Sequence, residues 1–164
     1  MPSDGLAANV SDHVVIGSEN HQLTCWISGG SYVAFYPHTF GGGLVEDTAF
    51  VASTAFVGKY AVVRGKARVL DNASVYGSAQ VFGNALICGN ATICDHAKVF
   101  GDAVVSGYSC VMGTAKVTDF AFVSGNAQVY GNAYISGSSK IGGYATINYI
   151  VEEKSCHEVS AVCL

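Results

Sequence analysis

Residues 71–107 read DNASVYGSAQVFGNALICGNATICDHAKVFGDAVVSG, and one six-residue unit recurs through them without insertion or deletion. The unit continues on both sides of that stretch. Every sixth residue from Ala49 to Ala145 is small, alanine at all but Ser109 and Ser139. Two places later stands Val or Ile, unbroken from Val51 to Ile147. Two places further comes Gly or Asp in most repeats, as at Gly65, Asp71, Gly77, Gly83 and Gly89. A period this strict decides the fold before local propensity is consulted.

Alternation around each aliphatic residue is a strand signal. In Ala73-Ser74-Val75-Tyr76 it turns Ala and Val inward and their neighbours outward. The Gly-Asn, Gly-Ser or Asp-Asn pair that follows supplies a corner, where positive φ is often required. Six residues are then one short strand and one turn. A flat two-sided wrap leaves little room for the Val side chains, whereas three sides give an 18-residue triangular coil with three aliphatic side chains at its centre. Stacked at about 4.8 Å, the repeats predict about five and a half coils and a prism roughly 26 Å tall.

The repeats resemble the hexapeptide-repeat proteins over about residues 49 to 149. That resemblance implies an all-β, left-handed parallel β-helix; left-handedness comes from it alone, because parallel crossovers are otherwise right-handed. Glycine here follows the aliphatic residue by two places, whereas the transferase consensus commonly has it directly after. Blocks such as GNAQVYGNAYISG (125–137) are more similar to the YdcK-like, phage- and enterobacteria-associated branch than to the sugar-modifying acetyltransferases. The lead-in Phe40-Gly41-Gly42-Gly43-Leu44-Val45-Glu46 resembles the start of that branch, with Leu44 in place of its usual Trp.

Both ends fall outside the period. Residues 1–44 hold three β-prone runs, His13–Ile16, Gln22–Ser28 and Tyr32–Tyr36, separated by GSEN and GG turns. A solenoid end exposes strand edges, so this segment is expected to be a small β-rich cap. The alternative is a recognition module carrying Trp26, Tyr32, Phe35 and Tyr36 as partner-binding residues. The solenoid proper is expected over 45–150. Residues 151–164 are expected as a strand, a helical turn or a tail at the last coil.

Written in columns of eighteen, the three outer faces differ. The first is built around Val51, Val69, Ile87, Val105, Val123 and Ile141, and its outward columns bring Leu70, Leu86, Cys88, Val104 and Phe122 into one apolar patch. Such patches are usually contact surfaces, and an oligomer interface is expected here. Because relatives often form trimers, a trimer is the first expectation and a dimer the second. The second face shows Tyr76, Cys94, Cys110, Met112 and Tyr130, and the third Phe82, Phe100 and Tyr134 beside Lys98 and Lys116.

Only 12% of residues are charged, against roughly 25% in average soluble domains. A net charge of −4, with 8 Lys and Arg in no run, disfavours nucleic acid. No apolar run reaches spanning length, so no membrane is expected. The polar beginning lacks a secretory pattern, and the six cysteines show neither C-x-x-C nor zinc spacing. A cytoplasmic protein with reduced thiols is the expectation.

The chemistry is sparse. An acyl-CoA-dependent transferase needs a histidine base beside a cleft, and only His96 lies in the repeats, at a corner next to Asp95. No loop interrupts the repeats to shape a site. His13, His21, His38 and His157 lie outside them, and zinc needs at least three placed ligands. Cys94 and Cys110 are diagonal on adjacent coils, about 8 Å apart by strand geometry. Neither metal nor cofactor is expected. Thr92, Thr118 and Thr146 form no ice-binding rank, and the GNA corners precede no helix that could hold phosphate. The leading expectation is a non-enzymatic structural or protein-binding solenoid that self-associates. The resemblance implies a phage or bacterial protein, one version being an inhibitor that grips a host protein. A hexapeptide acyltransferase and a small-molecule-sequestering oligomer are the alternatives.

Overall fold

A two-residue strand forms at each aliphatic position of the repeat, and these strands stack into parallel sheets with an 18-residue register. In a computed structural model of the chain, the backbone is described for residues 13–18, 21–28, 31–153 and 158–159, and the side chains for 33–152. The elements among the described residues are all strands, and none is a helix. Three walls result, with seven, six and ten strands. The seven-stranded first face runs Phe50, Arg68, Leu86, Val104, Phe122, Lys140 and Glu158 in direct register.

The coils are held along the axis by main-chain bonds. Arg68 N–H donates to Ala85 O and Leu70 N–H to Ile87 O, each at 2.8 Å, and the same seventeen-residue step recurs down the prism. Inside, the Ala and the Val or Ile columns are fully buried from Ala55 to Ile147. Ser109 and Ser139 fit the alanine column because each hydroxyl donates to a local carbonyl, Ser106 O at 2.7 Å and Ser136 O at 2.6 Å. A buried hydroxyl with such a bond costs little.

The corners turn through a left-handed residue. Gly65, Gly77 and Gly83 have φ between 66° and 72°, and Asp71, Asp95 and Asp119 lie at 57°, 59° and 58°. At Gly83 a Cβ would lie 2.9 Å from Gly101 N and 3.0 Å from Gly101 O, in backbone that has nowhere to move. The sequence thus uses glycine at most corners for two reasons, the sign of φ and the close approach of the next coil.

At the start, β1 (His13–Ser18), β2 (His21–Ser28) and β3 (Ser31–Pro37) form an antiparallel meander. They correspond to the three β-prone runs. β3 pairs antiparallel with β4 (Leu44–Glu46), which itself pairs parallel with β7 (Val62–Val63). The meander therefore prolongs the third face as ten strands. Beside it, β5 (Phe50–Val51) is the last strand of the first face, and β6 (Phe56–Val57) the last of the second. Gly43 N–H donates to Val57 O at 2.9 Å and Val57 N–H to Phe40 O at 3.1 Å, closing part of that second edge.

At the other end, parallel pairing runs past residue 150. Val151 lies against Ile135, sixteen residues back, and Val159 against Ile141, eighteen back. The corner between Ile147 and Val151 is two residues short, and Glu158–Val159 again pairs at the eighteen-residue register. No helix among the described residues is long and apolar enough to cross a membrane.

Candidate functional site

Alternation fixes which side chains leave the prism, and the 18-residue register fixes which of them meet. On the first face Leu86, Val104 and Phe122 are successive rungs, and Leu70 and Cys88 are successive rungs of the adjacent column. Leu70, Leu86, Cys88 and Val104 are half-buried by their neighbours, whereas Phe122 is 39% exposed. Phe50 extends the column at β5, 56% exposed. Phe120, 70% exposed, stands at the corner leading into Phe122. Phe50 belongs to the same column as Leu86, Val104 and Phe122. The period locates Phe120 as an outward corner residue, but a reading confined to strand columns passes over it. Arg68 interrupts the strip between Phe50 and Leu86, and Lys140 ends it.

The other faces are differently furnished. On the third, Phe82 and Phe100 stack at 4.8 Å with ring planes 3° apart, and the Arg64 guanidinium lies 4.7 Å from the Phe82 centroid. Those two rings are thus engaged by each other and by one cation. The second face carries no charged residue in either outward column.

The N-terminal aromatics separate by burial. Phe35 is 7% exposed and packs inward, whereas Tyr36 is 41% exposed. Trp26 lies on β2 and Tyr32 on β3, and their side chains fall outside the described residues. Tyr36, Pro37, Val45, Ala49, Phe50 and Val51 help line a cavity of about 510 Å³ over the edge of β5. The inward residues Val45, Ala49 and Val51 are only partly buried there, so the core is incompletely covered at this end. Glu46 borders the cavity too. Its carboxylate accepts from Gly65 N–H and the Thr48 hydroxyl, both at 2.8 Å.

His96 is exposed at its corner. The neighbouring Asp95 carboxylate is turned away, accepting from Gly113 N–H at 2.9 Å, so it does not orient the imidazole. Thr114, one coil on, donates to Gly131 O at 3.0 Å and to Asn132 Oδ1. His96 lines neither the N-terminal cavity nor a second one of about 380 Å³ at Thr114, Lys116 and Tyr134. Among the described residues, no three of His, Cys, Asp and Glu come together as metal ligands.

Cys94 and Cys110 lie on adjacent coils of the second face, in neighbouring outward columns. Burial raises the Cys94 thiol above its ordinary value. Burial, with Cys94 adding to it, pushes the Cys110 thiol up to about 11. Both thiols are unoxidised, as is Cys88.

Residues 127–143 match the family model of the YdcK β-solenoid repeat. The matched stretch is about one coil of the prism, and the same register carries the repeat to the other coils. No curated protein matches the chain.

Proposed function

We propose that this β-solenoid, whose residues 127–143 match the YdcK repeat, works as a non-enzymatic scaffold that self-associates through its first face. The observation that carries this reading is the apolar strip of Leu70, Leu86, Cys88, Val104 and Phe122, with Phe50 and Phe120 beside it. Phe82 and Phe100 on the third face are stacked on one another, whereas Phe50, Phe120 and Phe122 remain open to solvent. Burying them is worth about 25 cal/mol for each Å² of apolar surface removed from water.

The face is large enough for the purpose. Seven strands at about 4.8 Å give a wall roughly 29 Å tall, and a six-residue side is about 18 Å wide. Roughly 500 Å² per copy, or about 1,000 Å² in total, reaches the lower range of specific interfaces. A trimer is the first assembly expected and a dimer the second. The aromatic meander around Tyr36 offers a separate surface for a different protein. If the chain has the phage or bacterial origin that the resemblance implies, a host protein is the partner it would hold.

Light scattering tests the reading. Wild-type protein is expected above monomer mass, and Leu86→Asp with Val104→Asp is expected to return it to monomer while retaining the β-sheet circular dichroism. A monomeric wild type, or an assembly indifferent to both aspartates, overturns it. Tight binding and turnover of an acyl-CoA would favour a transferase instead.

A further inference from the structure

The N-terminal end of the prism leaves one of its three walls unfinished. The third face continues into β3, with Tyr36 opposite Val45, and the second is partly closed by the bonds of Gly43 and Val57. On the first face β5 pairs with β8 alone among the described residues. Phe50 N–H and Ala52 N–H both donate into the next coil, to Ala67 O at 2.9 Å and Val69 O at 2.8 Å. Val51 N–H, between them, therefore points the other way, and it has no acceptor among the described residues. Ala67 O and Val69 O accept from the coil above them, whereas the equivalent Ala49 O and Val51 O accept from no described residue. Ala49 and Val51 are also inward residues left partly buried beneath the cavity. An edge bare in both its main chain and its core side chains is a template for one more strand.

The chain carries a segment that fits. Ala8-Asn9-Val10-Ser11-Asp12 has the small residue, the aliphatic residue and the aspartate at the spacing of Ala67-Arg68-Val69-Leu70-Asp71. It lies out of phase with the repeats and outside the described residues. It ends where β1 begins. His13 stands opposite Trp26, two residues past Thr24, which lies in line with Phe35 and Glu46. Glu46 is the end of β4, so the chain enters the meander above the corner that leads into β5. We propose that residues 8–12 pair with β5 as an antiparallel strand and close the first face. Arriving at that corner, the segment runs against the direction of β5. β1 lies two strand spacings above the new rung, about 10 Å. Five extended residues reach up to about 17 Å. Alternation sets Ala8 over Val51 and Val10 over Ala49 on the core side, with Asn9 and Ser11 toward solvent. Ala8 N–H and Val10 N–H then donate to Val51 O and Ala49 O, and Val51 N–H donates to Ala8 O. The meander rises three strands, about 14 Å, above β4, so the end of a second prism cannot seat on β5. A single strand passes beside that wall. Its presence removes this end of the first face as a template for pairing with other chains.

Hydrogen exchange of the full chain, followed amide by amide by NMR, tests this. Val51 N–H should exchange at least about tenfold more slowly than in an unfolded peptide, and equally so at high and low protein concentration. Val10→Asp places a charge on the core side and should return Val51 to open-amide exchange. Asn9→Asp puts the same charge on the solvent side and should leave the protection in place. The Val69 amide, between paired strands one coil on, should stay protected in every variant and so reports that the prism is folded. An unprotected Val51 in the wild type, with Val69 protected, overturns the proposal, as does the same Val51 rate in the two variants. Protection that fades on dilution would assign the position to the segment of a second copy, and overturns the pairing within one chain.

Discussion

The carboxylate of Asp71 accepts a hydrogen bond from the backbone N–H of Gly89, 2.8 Å away and eighteen residues on in the chain. Asp95 does the same to Gly113 at 2.9 Å, and Asp119 to Gly137 at 3.0 Å. Each aspartate stands at a left-handed corner, and each corner column of the prism holds one of them. Successive aspartates are twenty-four residues apart, one coil and one side, so they climb the prism as a staircase. The side chain ties its own corner to the next and compensates for the strain of a Cβ at positive φ.

This gives an order of stability at Asp95. Asp95→Gly relieves the backbone but loses the bond, and should cost about 1 kcal/mol. Asp95→Ala keeps the strain and loses the bond, and should cost about 2–3 kcal/mol. Urea unfolding of the two variants checks it. Alanine no worse than glycine would refute the capping role.

Corner glycines are constrained differently along the axis. At Gly83 an added Cβ meets the Gly101 backbone, whereas at Gly143 nothing lies within 4 Å, although φ is +61°. Gly143→Ala should therefore cost only the conformational strain, about 1 kcal/mol. Gly83→Ala adds a backbone collision and should cost at least about 2 kcal/mol more. Equal unfolding midpoints for the two variants would contradict the close-approach argument.

The interior makes a contrast of its own. Ile87→Ala removes a fully buried side chain and opens a cavity, for a loss of about 2–5 kcal/mol. Ser109→Ala restores the residue that the column otherwise carries and forfeits one local hydrogen bond, within about 1 kcal/mol of neutral. Denaturant unfolding separates these by several-fold in effect.

Burial pushes the Cys88 thiol up from its ordinary value of about 9, and the Asp71 carboxylate adds to the shift. The folded state thus holds the proton more tightly than the unfolded chain does. Its contribution to stability is complete below the ordinary thiol value and is lost as pH rises through the folded one. Between about pH 8 and pH 10 the unfolding midpoint of the wild type should fall more steeply than that of Cys88→Ser. Parallel curves would place this thiol in open solvent. Because Cys88 lies on the first face, its alkylation should also slow as protein concentration rises.

The core was legible because it obeys one rule. An alanine and an aliphatic residue at fixed places in every six residues leave a three-sided wrap as the shape that buries both columns. The three strands of the meander were legible from β-prone runs bounded by turn residues. Side-chain reach was not legible. Period alone does not reveal that Glu46 reaches Gly65 N–H, or that Arg64 lies over Phe82. Nor does it reveal the shortened corner at Val151, where the sequence abandons the repeat but the backbone keeps its sheet. The apolar columns of the first face could be written down from the sequence. The exposure of Phe120 and Phe122 depends on how far neighbouring rungs cover them.

Two deletions test the central claim most directly, because they alter the faces without altering the repeat. Removing residues 90–107 takes out eighteen residues and leaves the surviving side chains on their original walls, with Phe122 stacked on Leu86. Removing residues 90–95 takes out six, and every later side chain moves to the next wall, so Cys110 replaces Val104 beneath Leu86. Both chains keep Asp71 over Gly89, and both should retain β-sheet circular dichroism and cooperative unfolding. Light scattering should find the chain lacking 90–107 associated and the chain lacking 90–95 monomeric at the same concentration. Wild-type association in the chain lacking 90–95 would contradict the assignment of the first face.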